Sequence, residues 1–207
     1  LVQVPGVDGY RGWSMASWSA RARTLLFKVK MVPDGKVSGW LKAGNRIGSP
    51  VKLFGPMGEA VFDSKEMTNL LCVAGGSGLA PMLAILSCAS EQGHFLQNRA
   101  DLFFGVRSAA DVFALDELGS LVEKHGANIR VVIALSEEKH EGLSMIHPEL
   151  KFDYGMVDEV VIKHVTAVEG DVTAFLAGPP PMVDAAMRQL LLEVKLPPNR
   201  IRYDRFS

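Results

Sequence analysis

The rhythm of apolar and polar positions changes near residue 65. Beyond it, residues 70–74 form an unbroken apolar run of strand length, and residues 80–92 repeat apolar side chains at helical spacing. Residues 101–106 and 129–135 are β-branched or aromatic runs. Between them, residues 111–125 place Val112, Leu115, Leu118 and Val122 on one face of a helix. A weaker helical pattern covers residues 157–164, a strand covers 172–177, and an amphipathic helix covers 182–194. Strands alternating with helices predict a parallel sheet covered on both faces. Residues 137–156 mix charge, Gly, His and Pro and read as a loop. Before residue 65, short strand-like runs at 25–32, 51–54 and 60–62 are broken by Pro33-Asp34-Gly35, Pro50 and Gly55-Pro56. That punctuation predicts an antiparallel barrel or sandwich. About 65 residues are few for a closed barrel, so amino-terminal strands are expected to be missing. The predicted division is 1–64 and 65–207.

Composition narrows the picture by exclusion. The chain has 207 residues, which allows one large domain or two small ones, and a formal net charge of −1, which gives no electrostatic footprint for nucleic acid. The longest apolar runs, 70–74 and 131–135, are too short to span a bilayer. Cys72 and Cys88 are too few for a disulfide framework or a four-cysteine metal site, and both lie among apolar residues, as buried thiols do. The cysteine usage and the lack of a visible targeting segment point to the cytoplasm. The chain opens on Leu1 rather than Met and is expected to begin within a longer protein.

Four segments carry chemistry. In Val73-Ala74-Gly75-Gly76-Ser77-Gly78-Leu79-Ala80-Pro81 a strand runs into glycines and a helix follows. Side-chain-free residues let a diphosphate approach the backbone, and the first helical amides point at its charge. A tight strand–helix turn uses the same residues. In Gly178-Pro179-Pro180-Pro181-Met182 another strand ends in Gly, and prolines stiffen the entry to a helix. Such a turn lies at the carboxyl edge of the sheet, where open α/β sheets bind ligands. Arg11, Trp13, Ser14, Met15 and Ser17 combine a phosphate-pairing cation, a flat ring and two hydroxyls. Strand alternation places Arg11, Trp13 and Met15 on one face; a core Trp beside a surface Arg is the plainer reading. In Gly35-Lys36-Val37-Ser38-Gly39, Ser38 is expected to cap a short helix beginning at Gly39.

In this order the four segments resemble the ferredoxin–NADP reductase superfamily, and more narrowly the reductase components of bacterial multicomponent oxygenases. The family's flavin pattern Arg-x-Tyr-Ser-x-x-Ser is matched by Arg11, Trp13, Ser14 and Ser17, and its Gly-x-x-Ser by Gly35 and Ser38. Gly55-Pro56-Met57-Gly58 matches the Gly-Pro-x-Gly that closes the flavin part. Gly75, Gly76, Ser77, Gly78, Ala80 and Pro81 match the nicotinamide-nucleotide pattern. Phe104-Gly105-Val106-Arg107 with Asp111 matches a later nucleotide-domain strand, and Gly178, Pro179, Pro180 and Met182 the Gly-Pro-Pro-x-Met turn. Trp13 stands where the family has Tyr, and Ala177 where it has Cys. Further barrel strands and a four-cysteine [2Fe–2S] domain have no counterpart here.

The resemblance implies a truncated antiparallel β-barrel that binds FAD, followed by a parallel α/β domain that binds NADH. Electrons would pass from NADH through FAD to an iron–sulfur protein or [2Fe–2S] domain outside this chain, serving a terminal oxygenase. It assigns Arg11 and Ser38 to the flavin diphosphate, Trp13 to one ring face, Ser14 to hydride transfer near N5 and Phe206 to the opposite face. Met15, Ser17, Val29, Gly35 and Val37 complete the flavin contacts. Gly105, Arg107, Ser136 and Glu137 join the glycine turns around the nicotinamide nucleotide. Ser136-Glu137-Glu138 replaces the Ser-Arg pair of NADPH-using relatives, which implies NADH. A nucleotide-binding docking module without redox activity and a reductase of free flavin are the alternatives.

Overall fold

A computed structural model describes residues 1–138, 142–165 and 170–206. Its centre is a six-stranded parallel sheet in the order β6-β5-β4-β3-β7-β8. The strands are β3 Asn69–Gly75, β4 Ala100–Val106, β5 Ile129–Leu135, β6 Lys151–Tyr154, β7 Val172–Gly178 and β8 Ile201–Arg205. The unbroken apolar run in β3 follows from burial on both faces. Leu70, Cys72 and Ala74 pack with Leu79, Met82 and Leu86 of α2 (Leu79–Glu91) and with Leu118 of α3 (Leu115–His125). Leu71 and Val73 face the other way. They meet Val157, Val160 and Val161 of α5 (Val157–His164) and Val183, Ala186 and Leu190 of α6 (Pro180–Leu192).

Four elements depart from the sequence reading. The expected loop 137–156 contains a short helix α4, Leu143–Ile146, and the strand β6, which pairs with β5 from Val132↔Lys151 to Leu135↔Tyr154. Lys-Phe-Asp-Tyr has no apolar run because β6 is an edge strand. Pairing with β5, rather than its own pattern, makes it a strand. The tail strand β8 went unpredicted for the same reason. Helix α3 begins at Leu115 rather than Asp111: residues Ala109–Asp111 form a 3-10 turn, and Ala114 at φ 60 breaks the helical path. Val112 therefore lies ahead of the helix.

The amino-terminal residues are sparsely paired. Strand β1, Val2–Gln3, is antiparallel to β2, Lys52–Leu53, and bridges join Val2 to Arg11 and Met15 to Phe27. Among the described residues, segments 25–32 and 60–62 make no ladder. Their alternation favours extended backbone, but a strand forms only where a neighbour takes its N–H and C=O groups. Helix α1 spans Lys36–Lys42 with Gly35 as its N-cap. Ser38 is thus inside the first turn rather than ahead of it. The Gly35 carbonyl already accepts the Gly39 N–H at 2.7 Å, while Ser38 Oγ accepts the Val32 N–H at 2.9 Å. This part is tied to the sheet at several points. Lys28 pairs with Glu117 of α3, Ser14 Oγ lies 3.4 Å from Asp204 Oδ2, and Arg202 bonds Glu66 and the Val61 carbonyl. Phe62 packs edge-on against His94 at 5.1 Å.

Candidate functional site

A cavity of about 480 Å³ opens over the carboxyl ends of β3, β4 and β5. It sits beside the point where the strand order reverses, between β3 and β7, which is where open α/β sheets leave a crevice. Gly75, Gly76 and Ser77 form one wall, Gly105, Val106 and Arg107 continue it, and Ala134 and Ser136 extend it over β5. Pro179 and Met182 close the β7 side, and Lys28, Val29 and Lys30 face the sheet from the amino-terminal part.

The glycines do two different jobs. Gly76 has φ 51 and nothing within 4 Å of where a Cβ would stand, so it lets the chain turn out of β3 and leaves the wall bare. Gly78 is a packing residue, since a Cβ there would lie 2.0 Å from the Ala177 carbonyl oxygen. The turn Gly76–Gly78 can therefore run directly over β7 and into α2. The cavity wall of Gly75, Gly76 and Ser77 thus leads directly into the amino end of α2, the end that carries the positive pole of the helix amides.

The rim is charged. Lys28, Lys30 and Arg107 line the cavity with one carboxylate, Asp111, which accepts the Ser108 hydroxyl proton at 3.1 Å. Beyond the strands the β4 and β5 loops stay stitched together. The Ser136 N–H donates to Val106 O at 3.1 Å, the Glu137 N–H to Arg107 O at 3.0 Å, and the Ala109 N–H to the Glu138 carboxylate. The Glu137 carboxylate stands 4.0 Å from Arg107 Nε, both side chains mostly in solvent.

Nine residues assigned to cofactors from the sequence meet in this cavity, Val29, Gly75, Gly76, Ser77, Gly105, Arg107, Ser136, Pro179 and Met182, together with Val106 and Asp111 of the same β4 motif. Gly78, Ala80 and Pro81 lie behind the wall in the turn and first turn of α2, and Gly178 and Pro180 behind the β7 side; Glu137 is at the rim. The amino-terminal group is elsewhere. Arg11 is exposed, with Nη1 donating to Tyr10 O at 3.0 Å. The half-buried Trp13 ring lies 5.7 Å from that of Phe27, Met15 bridges to Phe27, and Ser17 is half-buried. Gly35, Val37 and Ser38 belong to the start of α1. Phe206 packs half-buried on the core, its N–H bonded to Gly178 O at 2.9 Å, which sets it at the carboxyl edge of the sheet near Ser14 and Asp204.

Sequence reasoning missed Lys28, Lys30, Phe113, Gly155, Met156 and Val157 as lining residues. The lysines flank Val29, which the resemblance assigned to the flavin contacts and which the structure also places on this cavity. Gly155 and Met156 follow β6, whose polar pattern gave no strand end to read. Both cysteines are buried as expected. Burial, with Asp101 nearby, pushes the Cys72 thiol up to about 12, and burial raises Cys88 as well, so neither offers a thiolate. Among the described residues no cluster of His, Cys, Asp and Glu can hold a metal ion, and no helix is long and apolar enough to cross a membrane.

A cavity over the carboxyl edge of a parallel sheet, rimmed by cations and walled by glycines that lead into a helix, defines an α/β nucleotide-binding domain. The chain belongs to the oxidoreductase NAD-binding domain family, whose pattern matches residues 72–188. It is 32% identical over 207 residues to the reductase component of propane 2-monooxygenase from Mycolicibacterium smegmatis, a match covering 100% of this chain and 57% of that protein. It is 34% identical over 192 residues to the xylene/toluene monooxygenase electron transfer component of Pseudomonas putida, covering 92% of this chain and 51% of that one. Among solved structures, the cytochrome P450 reductase of Amycolatopsis superposes with a TM-score of 0.82 at 27% identity, over 99% of this chain and 59% of that chain. The ferredoxin reductase of carbazole 1,9a-dioxygenase does so with 0.79 at 28% identity, over 100% and 58%. The chain thus spans little more than half the length of the relatives it matches.

Proposed function

We propose that this chain is the flavin- and nucleotide-binding portion of a reductase that takes electrons from NADH through FAD to an iron–sulfur protein or domain serving an oxygenase, in the cytoplasm. Residues 1–64 form the flavin part and residues 65–207 the nucleotide part. One observation carries the reading: the cavity walled by Gly75, Gly76 and Ser77 has Lys28, Val29 and Lys30 as its facing wall. A nucleotide held on the sheet is therefore brought against the segment that follows the flavin motif. The relatives, a reductase component and an electron transfer component of monooxygenases, agree with it.

The amino-terminal residues fit a flavin dinucleotide. Arg11 is exposed and, among the described residues, makes no ion pair, so its guanidinium is available to a diphosphate. Ser38 Oγ accepts the Val32 N–H and keeps its own proton to donate, while shaping the turn that leads into α1. Trp13 gives a flat apolar face, and Ser14, beside Asp204, gives a hydroxyl at the junction with the tail where Phe206 sits. Bound there, FAD supplies the step between the two-electron chemistry of a nicotinamide and the one-electron chemistry of an iron–sulfur centre. The chain's own residues orient the two rings, neutralise both diphosphates and keep water from the contact.

The test is visible spectroscopy of the purified chain reconstituted with FAD, followed by anaerobic titration with NADH and assay with ferricyanide as a one-electron acceptor. A yellow protein bleached by NADH and active toward ferricyanide supports the reading. A chain that binds NADH but takes up no flavin and reduces no acceptor refutes it and leaves a docking module.

A further inference from the structure

Lys28 is shared between two places. Lys28 lines the cavity with Gly75, Gly76 and Ser77, and its ammonium is paired with the carboxylate of Glu117 on α3. The Lys28 side chain is 22% exposed and that of Glu117 49%, so the cation is the more buried member of the pair. Glu117 does not line the cavity. It sits in the first turn of α3, where the helix amides favour a carboxylate whether or not Lys28 is present. The other charged groups around the cavity are placed differently. Lys30 is exposed, Arg107 stands at 4.0 Å from Glu137 with both in solvent, and Asp111 is held by Ser108. Among the described residues, Lys28 is the lining cation whose nitrogen lies within hydrogen-bond distance of a carboxylate on another element.

Resting on the nucleotide-site reading above, we infer that Glu117 is an intramolecular competitor for Lys28, which lowers the affinity of the cavity for a nucleoside diphosphate. Lys28 exchanges between the carboxylate and the ligand's diphosphate. Binding must first draw the ammonium away from Glu117, and so unfastens segment 28–30 from α3. Release is helped by the carboxylate taking the ammonium back. An affinity that depends on a competent form is weakened by the fraction of time that form is populated. For an exposed ion pair that fraction corresponds to a factor of about two to five.

The test is calorimetric titration of the 207-residue chain with ADP-ribose, which carries the diphosphate and no nicotinamide. Glu117→Gln is expected to lower Kd about two- to five-fold, and Lys28→Met to raise it. The double variant is expected to match Lys28→Met, because the carboxylate then has no cation to hold. Glu123→Gln, an exposed carboxylate on the same helix, is expected to leave Kd unchanged. The inference is overturned if Glu117→Gln leaves Kd unchanged or raises it. It is also overturned if the gain persists without Lys28, or if Glu123→Gln reproduces it, because Glu117 would then act only through the general field. ADP-ribose binding by none of the proteins would sink the nucleotide-site reading itself, and this inference with it.

Discussion

Gly78 shows how one missing side chain sets a site without touching a ligand. Its backbone lies so close to β7 that a Cβ would stand 2.0 Å from Ala177 O, a carbonyl in a strand paired on both sides. Gly78→Ala should therefore destabilise the fold by about 3 kcal/mol in urea unfolding. Gly76→Ala meets open space and should cost only the left-handed backbone, about 1 kcal/mol. Equal losses for the two would mean that the turn, not the contact with β7, is the constraint. Glu137 acts at the same scale through charge. Its carboxylate at the rim, near Arg107, should repel a 2′-phosphate and leave NADH preferred. Glu137→Arg is expected to move the NADH/NADPH ratio of kcat/KM toward NADPH by roughly ten-fold, the size of a charge-assisted contact of about 1.4 kcal/mol. An unmoved ratio would make Glu137 a surface charge only.

Between elements, β6 and α5 are joined by one carboxylate. Burial would raise the Asp153 carboxyl, but hydrogen bonds from Lys163, His164 and the Tyr154 amide outweigh it and hold the group at about 2. The Lys163 ammonium lies 2.7 Å from both oxygens and His164 Nε2 lies 2.8 Å from one. Because the folded value is depressed, its stabilisation is present above the ordinary carboxylate range and is lost as pH falls from about 4 through about 2. Lys163 is largely in solvent, so screening limits the contribution to about 1 kcal/mol. Asp153→Asn should lower stability at neutral pH by that amount, with the two proteins converging near pH 2 in urea titrations. A gap that stays constant with pH would assign the loss to packing instead. Anchoring an edge strand this way matters for the site, because Gly155 and Met156 leave β6 directly into the cavity.

At the scale of the whole molecule, the amino-terminal part has little regular structure of its own and is held by contacts to the sheet. Arg202 of β8 bonds the Val61 carbonyl and the Glu66 carboxylate, which fixes the chain where it enters β3. Arg202→Ala should raise amide exchange over residues 60–68 by about five- to thirty-fold, the equivalent of about 1–2 kcal/mol of local stability, while β3, β4 and β5 remain protected. Equal exchange in both proteins would mean that Phe62 on His94 carries the attachment. Because Lys28 and Lys30 reach the cavity from this part, its attachment also decides how closed the site is.

Residues 70–74, 129–135 and 172–177 announced their elements because each is buried almost along its length, and 157–164 because its buried residues, Val157, Val160 and Val161, recur at helical spacing. The hydrophobic effect writes burial into composition before any fold is known. The glycine and proline turns announced the cavity for a related reason: bare backbone and fixed φ are needed wherever a chain passes close to another group. The polar edge strands β6 and β8 were settled by their neighbours, since pairing depends on which backbone groups a partner leaves open. The same holds for the amino-terminal runs at 25–32 and 60–62, which carry strand alternation without finding a ladder. The charges belong wholly to the fold. Lys28 and Glu117 are 89 residues apart, and Ser14 and Asp204 are 190 apart; no local pattern states that they meet. Only packing brings such distant groups within a few ångströms, where Coulomb energy and hydrogen bonding begin to act.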